Sequence, residues 1–158
     1  MARRRKAPIP HARGPFFKKL SPKRINEVLA RNSIGRIAFV SEHHIELQPV
    51  HYIFDNGHIY GRTSFGAKYV AWLHRPFVAF EVDENEGPYD WRSVIARGTV
   101  YVLLPRGTPA EKADYARATR LIKMRQPLAF TPRDPTPYRS VVFRIEVNEM
   151  TGREARTG

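Results

Sequence analysis

The chain has 158 residues, no cysteine, and 27 Lys and Arg against 15 Asp and Glu, for a formal net charge of +12. That length fits one domain. The absence of cysteine excludes disulfides, thiolate metal sites and a cysteine nucleophile, and fits folding in the cytoplasm; no apolar run reaches the ~20 residues that a membrane-spanning helix needs.

Nine of the cations, from Arg3 to Arg24, precede the first acidic residue, Glu27, so the rest of the chain is close to neutral. Pro8, Pro10, Gly14 and Pro15 interrupt any helix through this stretch, so residues 1–19 read as a basic, mobile arm ahead of a domain over 20–158. Next come Ser21 and Pro22, an N-cap with proline at the first helical position, and Ile25, Val28 and Leu29 share one face of a helix to about Arg31. The period then changes to two. Ile34 to Val40 is a strand, and Ile45 to Phe54 continues in strand fashion to Asp55-Asn56-Gly57, a hairpin signal. The return strand starts at His58 and ends near Arg62, a helix spans Gly66 to Leu73, and Phe77 to Val82 alternates again.

Ser93 to Leu104 is the longest strand candidate, apolar on both faces and so buried on both for part of its length. Thr108-Pro109-Ala110-Glu111 is a capping box that opens a helix to Arg125. A proline-rich loop to Pro137 precedes the last strand, Ser140 to Val147. Six strands on mostly short connections, with three local helices, predict a mainly β fold: an antiparallel sheet that closes into a small barrel to remove its edges.

The chemistry concentrates in Arg62-Thr63-Ser64-Phe65-Gly66-Ala67-Lys68, where a strand end and two hydroxyls meet a helix start between two cations. Unpaired N–H groups at a helix start, a guanidinium and an ammonium suit a phosphate, although the Walker spacing is absent and a capped turn with surface charges has the same composition. Asp90-Trp91-Arg92-Ser93-Val94 is the second element, offering an indole to pack on a planar ligand or to cover the core, and a hydroxyl for its polar edge. Glu81 is read as facing water. The paired His43 and His44 point to opposite sides of a strand, so no metal site is expected. There is no nucleophile elbow, zinc-protease helix or dinucleotide fingerprint, which favours a protein whose cofactor performs the chemistry.

In order, Ile34-Gly35-Arg36-Ile37-Ala38-Phe39-Val40, Pro49-Val50-His51-Tyr52, the Arg62 to Lys68 stretch, Phe80-Glu81-Val82-Asp83 and Trp91-Arg92-Ser93-Val94 with Arg97-Gly98 resemble the pyridoxamine 5'-phosphate oxidase-like family, in the branch related to nitroimidazole reductases. The likeness covers residues 21 to 153. It implies a six-stranded antiparallel split barrel that binds FMN at a homodimer interface, an oxidoreductase reduced by NAD(P)H. It further implies that Arg62, Thr63, Ser64 and Lys68 hold the FMN phosphate. Pro49, Val50, His51, Trp91, Ser93 and Val94 would lie along the ring, with Arg153 approaching the flavin. Relatives in that branch often carry histidine where this chain has Arg62, which sets nitro-group reduction apart. Two alternatives remain: the deazaflavin F420 in the same fold, and a basic nucleic-acid module in which the arm tracks phosphates. The near-neutral body weighs against the second.

Overall fold

In the computed structural model, which describes residues 14–157, eight strands and three helices follow in the order β1 (Phe16–Lys19), α1 (Pro22–Arg31), β2 (Ile34–Ser41), β3 (His44–His51), β4 (Ile53–Asp55), β5 (His58–Thr63), α2 (Ala67–His74), β6 (Phe77–Gly87), β7 (Asp90–Leu103), α3 (Pro109–Arg125) and β8 (Val141–Arg156). Most of the basic arm, residues 1–13, lies outside the described residues. Its end does not behave as an arm: Phe16–Lys19 pair with Arg156–Arg153 as β1.

Period-two alternation decides the layering. Along β2 the inward Ile37 and Phe39 are buried while Ile34, Arg36, Ala38 and Val40 face out. The same alternation along the neighbouring strands lines an interior with Val78, Phe80, Val82, Val94, Ala96, Phe143 and Ile145. All strand pairs are antiparallel, in the order β3-β2-β6-β7-β8-β5-β4. One edge of β8 is shared, with β5 along Val141–Glu146 and β1 along Arg153–Arg156. The sheet curls until β3 touches β5 without pairing to it, which leaves the barrel split at that seam.

Helix α1 closes one end. Ser21 accepts the Arg24 N–H as N-cap, and Ile25, Val28 and Leu29 pack into the core. The long β3 run expected from sequence breaks at Tyr52, whose N–H donates to the Ser33 carbonyl and whose hydroxyl donates to the Leu29 carbonyl at 2.7 Å. The hairpin at Asn56-Gly57 forms as expected, both residues with positive φ. Helix α3, with its capping box in place, lies outside the barrel, where Ala118 and Ile122 join Tyr60, Ala129 and Val142 in a second cluster. Leu103 packs against that cluster, so β7 is covered on both faces at this end, as its composition predicts.

The largest departure is β8, which runs to Arg156 where the sequence reading stopped at Val147. Gly98 pairs with Val147 and Arg97 with Glu149, so Asn148 is the extra residue of a bulge. The bulge shifts the side-chain phase and hides the continuing strand from a period-two search.

Candidate functional site

Strand β5 delivers Thr63 and Ser64 to the start of α2. Gly66 occupies the N-cap position and supplies no side-chain acceptor, so the helix opens with its first N–H groups uncapped. Lys68 stands in the first turn, half-buried, its Nζ 3.3 Å from the Thr63 hydroxyl. Across from them run Gln48, Pro49, Val50 and His51 at the end of β3, and Tyr138 and Arg139 complete a cavity of about 370 Å³. Among the described residues, no carboxylate lines it. Burial, and then the Arg139 charge, push the Lys68 ammonium below its ordinary pKa. Two cations facing one recess with no carboxylate between them suit an anion, and the uncapped helix start adds donors of the same sign.

Seven of the eleven residues predicted from sequence gather here: Pro49, Val50, His51, Arg62, Thr63, Ser64 and Lys68. Within that group Arg62 is differently placed from the rest. Its guanidinium is buried and gives Nε–H to Gln126 at 3.0 Å, Nη1–H to Asp134 at 2.6 Å, and Nη2–H groups to Asp134 at 3.1 Å and Thr136 at 3.0 Å. Of its five N–H donors, one on Nη1 stays uncommitted. The Arg62 guanidinium and the Phe130 and Thr136 backbone N–H groups hold the Asp134 carboxyl well below the usual carboxylate range. Arg62 also stands over the Phe130 ring. It therefore ties the 126–139 loop to β5, and that loop carries Arg139 to the recess. Sequence reasoning passed over both Asp134 and Arg139. The one available signal was a lone acid between two arginines, Arg133 and Arg139, in a proline-rich loop.

Trp91, Ser93 and Arg153 lie elsewhere on the sheet. Strand pairing places Ser93 beside Asp83 and Arg153, and Trp91 beside Ala155. Directly paired residues share a face, so these side chains lie on the outward face that also presents Pro49 and His51. Counted along the sheet, Trp91 and Ser93 on β7 stand three strands from β3 and Arg153 on β8 stands four. Phe17 packs on Trp91 with ring centroids 6.4 Å apart. The Ser93 hydroxyl donates to Glu81 at 3.1 Å, and Arg36 pairs with Glu81 and Asp83. Glu81 is thus partly covered rather than in open water, and burial and then Asp83 raise its pKa. Val94 points inward and is wholly buried, so it reaches a ligand on this face through its backbone alone.

A family model described as pyridoxamine 5'-phosphate oxidase matches residues 21–154. No curated protein matches the sequence. Among solved structures, an FAD-binding protein from Mesorhizobium loti is 23% identical, over 89% of this chain and 99% of that one, with a TM-score of 0.70. A protein from Corynebacterium glutamicum, described as a proposed pyridoxamine 5'-phosphate oxidase, is 27% identical over 90% and 95% of the two chains, with a TM-score of 0.60. A proposed 5-nitroimidazole antibiotic resistance protein from Bacteroides thetaiotaomicron is 16% identical over 96% and 95%, with a TM-score of 0.67. The fold is one that flavin-binding proteins use.

Proposed function

Because the chain belongs to the pyridoxamine 5'-phosphate oxidase family, we propose that it is an FMN-binding homodimer and an oxidoreductase of the cytoplasm. Lys68 and Arg139, facing a recess with no carboxylate, carry this reading. A flavin phosphate there would accept from Lys68, Arg139, the Thr63 and Ser64 hydroxyls and the uncapped start of α2. Arg62 lines the recess with its remaining N–H and holds the loop that brings Arg139. The ring would lie along Pro49, Val50 and His51. Bound FMN supplies electron exchange between NAD(P)H and a small-molecule acceptor; the chain's own groups anchor and orient it.

The second copy is argued from the outward face. Ile45 and Leu47 on β3 and Phe77 on β6 are 75%, 64% and 74% exposed, and Ala38, Val40 and Ala79 fill the face between them. An apolar sheet face of this extent marks an association surface. A two-fold interface repeats each residue on both partners, so it can set Trp91, Ser93 and Arg153 of a second copy over the recess that one copy leaves open. Among the described residues no helix is long and apolar enough to cross a membrane.

Titration of the protein with FMN, read by quenching of flavin fluorescence, tests the reading. Saturable binding is expected. A linear, non-saturating response would contradict it.

A further inference from the structure

Beside the phosphate recess, on the other side of Arg62, lies a larger cavity of about 570 Å³ between strands β4 and β5, the end of α3 and the 126–139 loop. Its body is apolar, formed by Ile53, Tyr60, Ile122, Leu128 and Ala129. Among the described residues, its lining includes neither Thr63, Ser64 nor Lys68, and no Asp or Glu. The volume is that of an ordinary small-molecule site.

The charges at its rim are Arg62, Arg125 and Arg139. Arg62 is neutralised by Asp134, and Arg139 also faces the phosphate recess. Arg125 is the cation that belongs to this cavity alone: it gives one Nη2–H to the Ala30 carbonyl at 3.1 Å, and among the described residues it has no carboxylate partner. A guanidinium with one N–H fixed on a backbone carbonyl is oriented, and its free donors match the two oxygens of a carboxylate. The size of the ligand's charge is limited by the same geometry. Arg125 ends α3, so the partial negative charge of a helix C-terminus sits at this rim and disfavours a dianion such as a phosphate monoester.

We propose that this cavity binds a small, largely apolar organic acid, with its single carboxylate on Arg125 and its body between the β4–β5 hairpin and the loop. The site goes beyond flavin binding: it shares His51, Arg62 and Arg139 with the phosphate recess, but its walls lack Thr63, Ser64 and Lys68, and Arg125, Ile53, Ile122, Leu128 and Ala129 belong to it alone.

The test is calorimetric titration of the full chain with naphthoate and with its neutral isostere naphthamide, each repeated at saturating FMN. Naphthoate is expected to bind at a saturable site, the amide about tenfold or more weakly, as for loss of a charge-assisted hydrogen bond, and FMN not to displace either. Arg125→Gln should weaken naphthoate about tenfold and leave the FMN affinity unchanged. Leu128→Trp should block both probes; Leu128 is 44% exposed, which leaves the larger ring room to fold, and Arg125→Gln decides alone if that variant does not fold. Failure of naphthoate to saturate, equal binding of acid and amide, undiminished binding in Arg125→Gln, or displacement by FMN would each overturn the proposal. Loss of FMN binding with naphthoate binding intact would contradict the flavin reading and not this one.

Discussion

Burying a guanidinium against a carboxylate leaves little charge to offer a ligand, whereas two half-buried cations without a carboxylate leave a good deal. That difference divides the labour between Arg62 and its neighbours Lys68 and Arg139. Replacing Lys68 or Arg139 by Ala should each weaken FMN binding by ~1 to 3 kcal/mol, the range of a charge-assisted hydrogen bond, while the fold stays intact. Arg62→Ala leaves Asp134 buried without its partner, so its main effect should be a lower melting temperature, with FMN affinity falling through displacement of the loop. Equilibrium titration beside thermal denaturation separates the two kinds of loss. Unchanged FMN affinity in both Lys68→Ala and Arg139→Ala would move the phosphate elsewhere. The sequence made Thr63, Ser64 and Lys68 legible because they are contiguous with a strand end and a helix start. Arg139 was not, because its place depends on a loop held by Asp134, and no local pattern links these residues.

At the scale of elements, local signals were reliable wherever one element's own chemistry set its limits. Ser21 and Pro22 opened α1, the capping box opened α3, and Asn56-Gly57 turned the β4–β5 hairpin. They failed where pairing set the limits. Strand β1 is carried by Lys18 and Lys19 in a cationic stretch and exists because β8 offers it an edge. The β6–β7 hairpin extends through the acidic Glu84 for a similar reason. The Glu84 carboxylate accepts from Arg31 at 2.6 Å and from Asn32 at 2.7 Å, with Arg92 3.6 Å away, tying the end of α1 to the sheet. The Arg31 hydrogen bonds lead in pulling its pKa from 4.5 down to about 2, so the folded protein favours the carboxylate. That contribution is complete above the unfolded value near 4.5 and is lost as pH falls through about 2. Arg31 is half-exposed, so screening leaves it worth ~1 kcal/mol. Thermal melts across that acid range should show Glu84→Gln less stable than the parent at neutral pH, with the gap closing toward pH 2. A gap that stays constant across the series would contradict the assignment.

For the whole molecule, composition and periodicity were enough to give an antiparallel barrel with peripheral helices. They were not enough to say which apolar residues stay exposed on the outward face, since an exposed Leu47 and a buried one look alike in sequence. The row Ile45, Leu47 and Phe77 is exposed, and the proposed dimer would cover it. Leu47→Asp places a charge in that face and should shift sedimentation from dimer to monomer at micromolar concentration. FMN affinity should fall with it if, as proposed, the site draws on both copies. A parent protein that sediments as a monomer while holding FMN would contradict this arrangement. The net charge of +12 also looks different once the fold is known. Five of the cations, Arg3 to Arg13, precede the first strand, while Lys68 and Arg139 face a recess that no carboxylate lines among the described residues.

The most direct test of the central claim is the visible absorption spectrum of the full chain, recorded after incubation with FMN and removal of free flavin by gel filtration. A yellow dimer is expected, its flavin bands co-eluting with the protein and approaching one FMN per chain. A colourless protein after that treatment, with no saturable FMN binding at equilibrium, would contradict it.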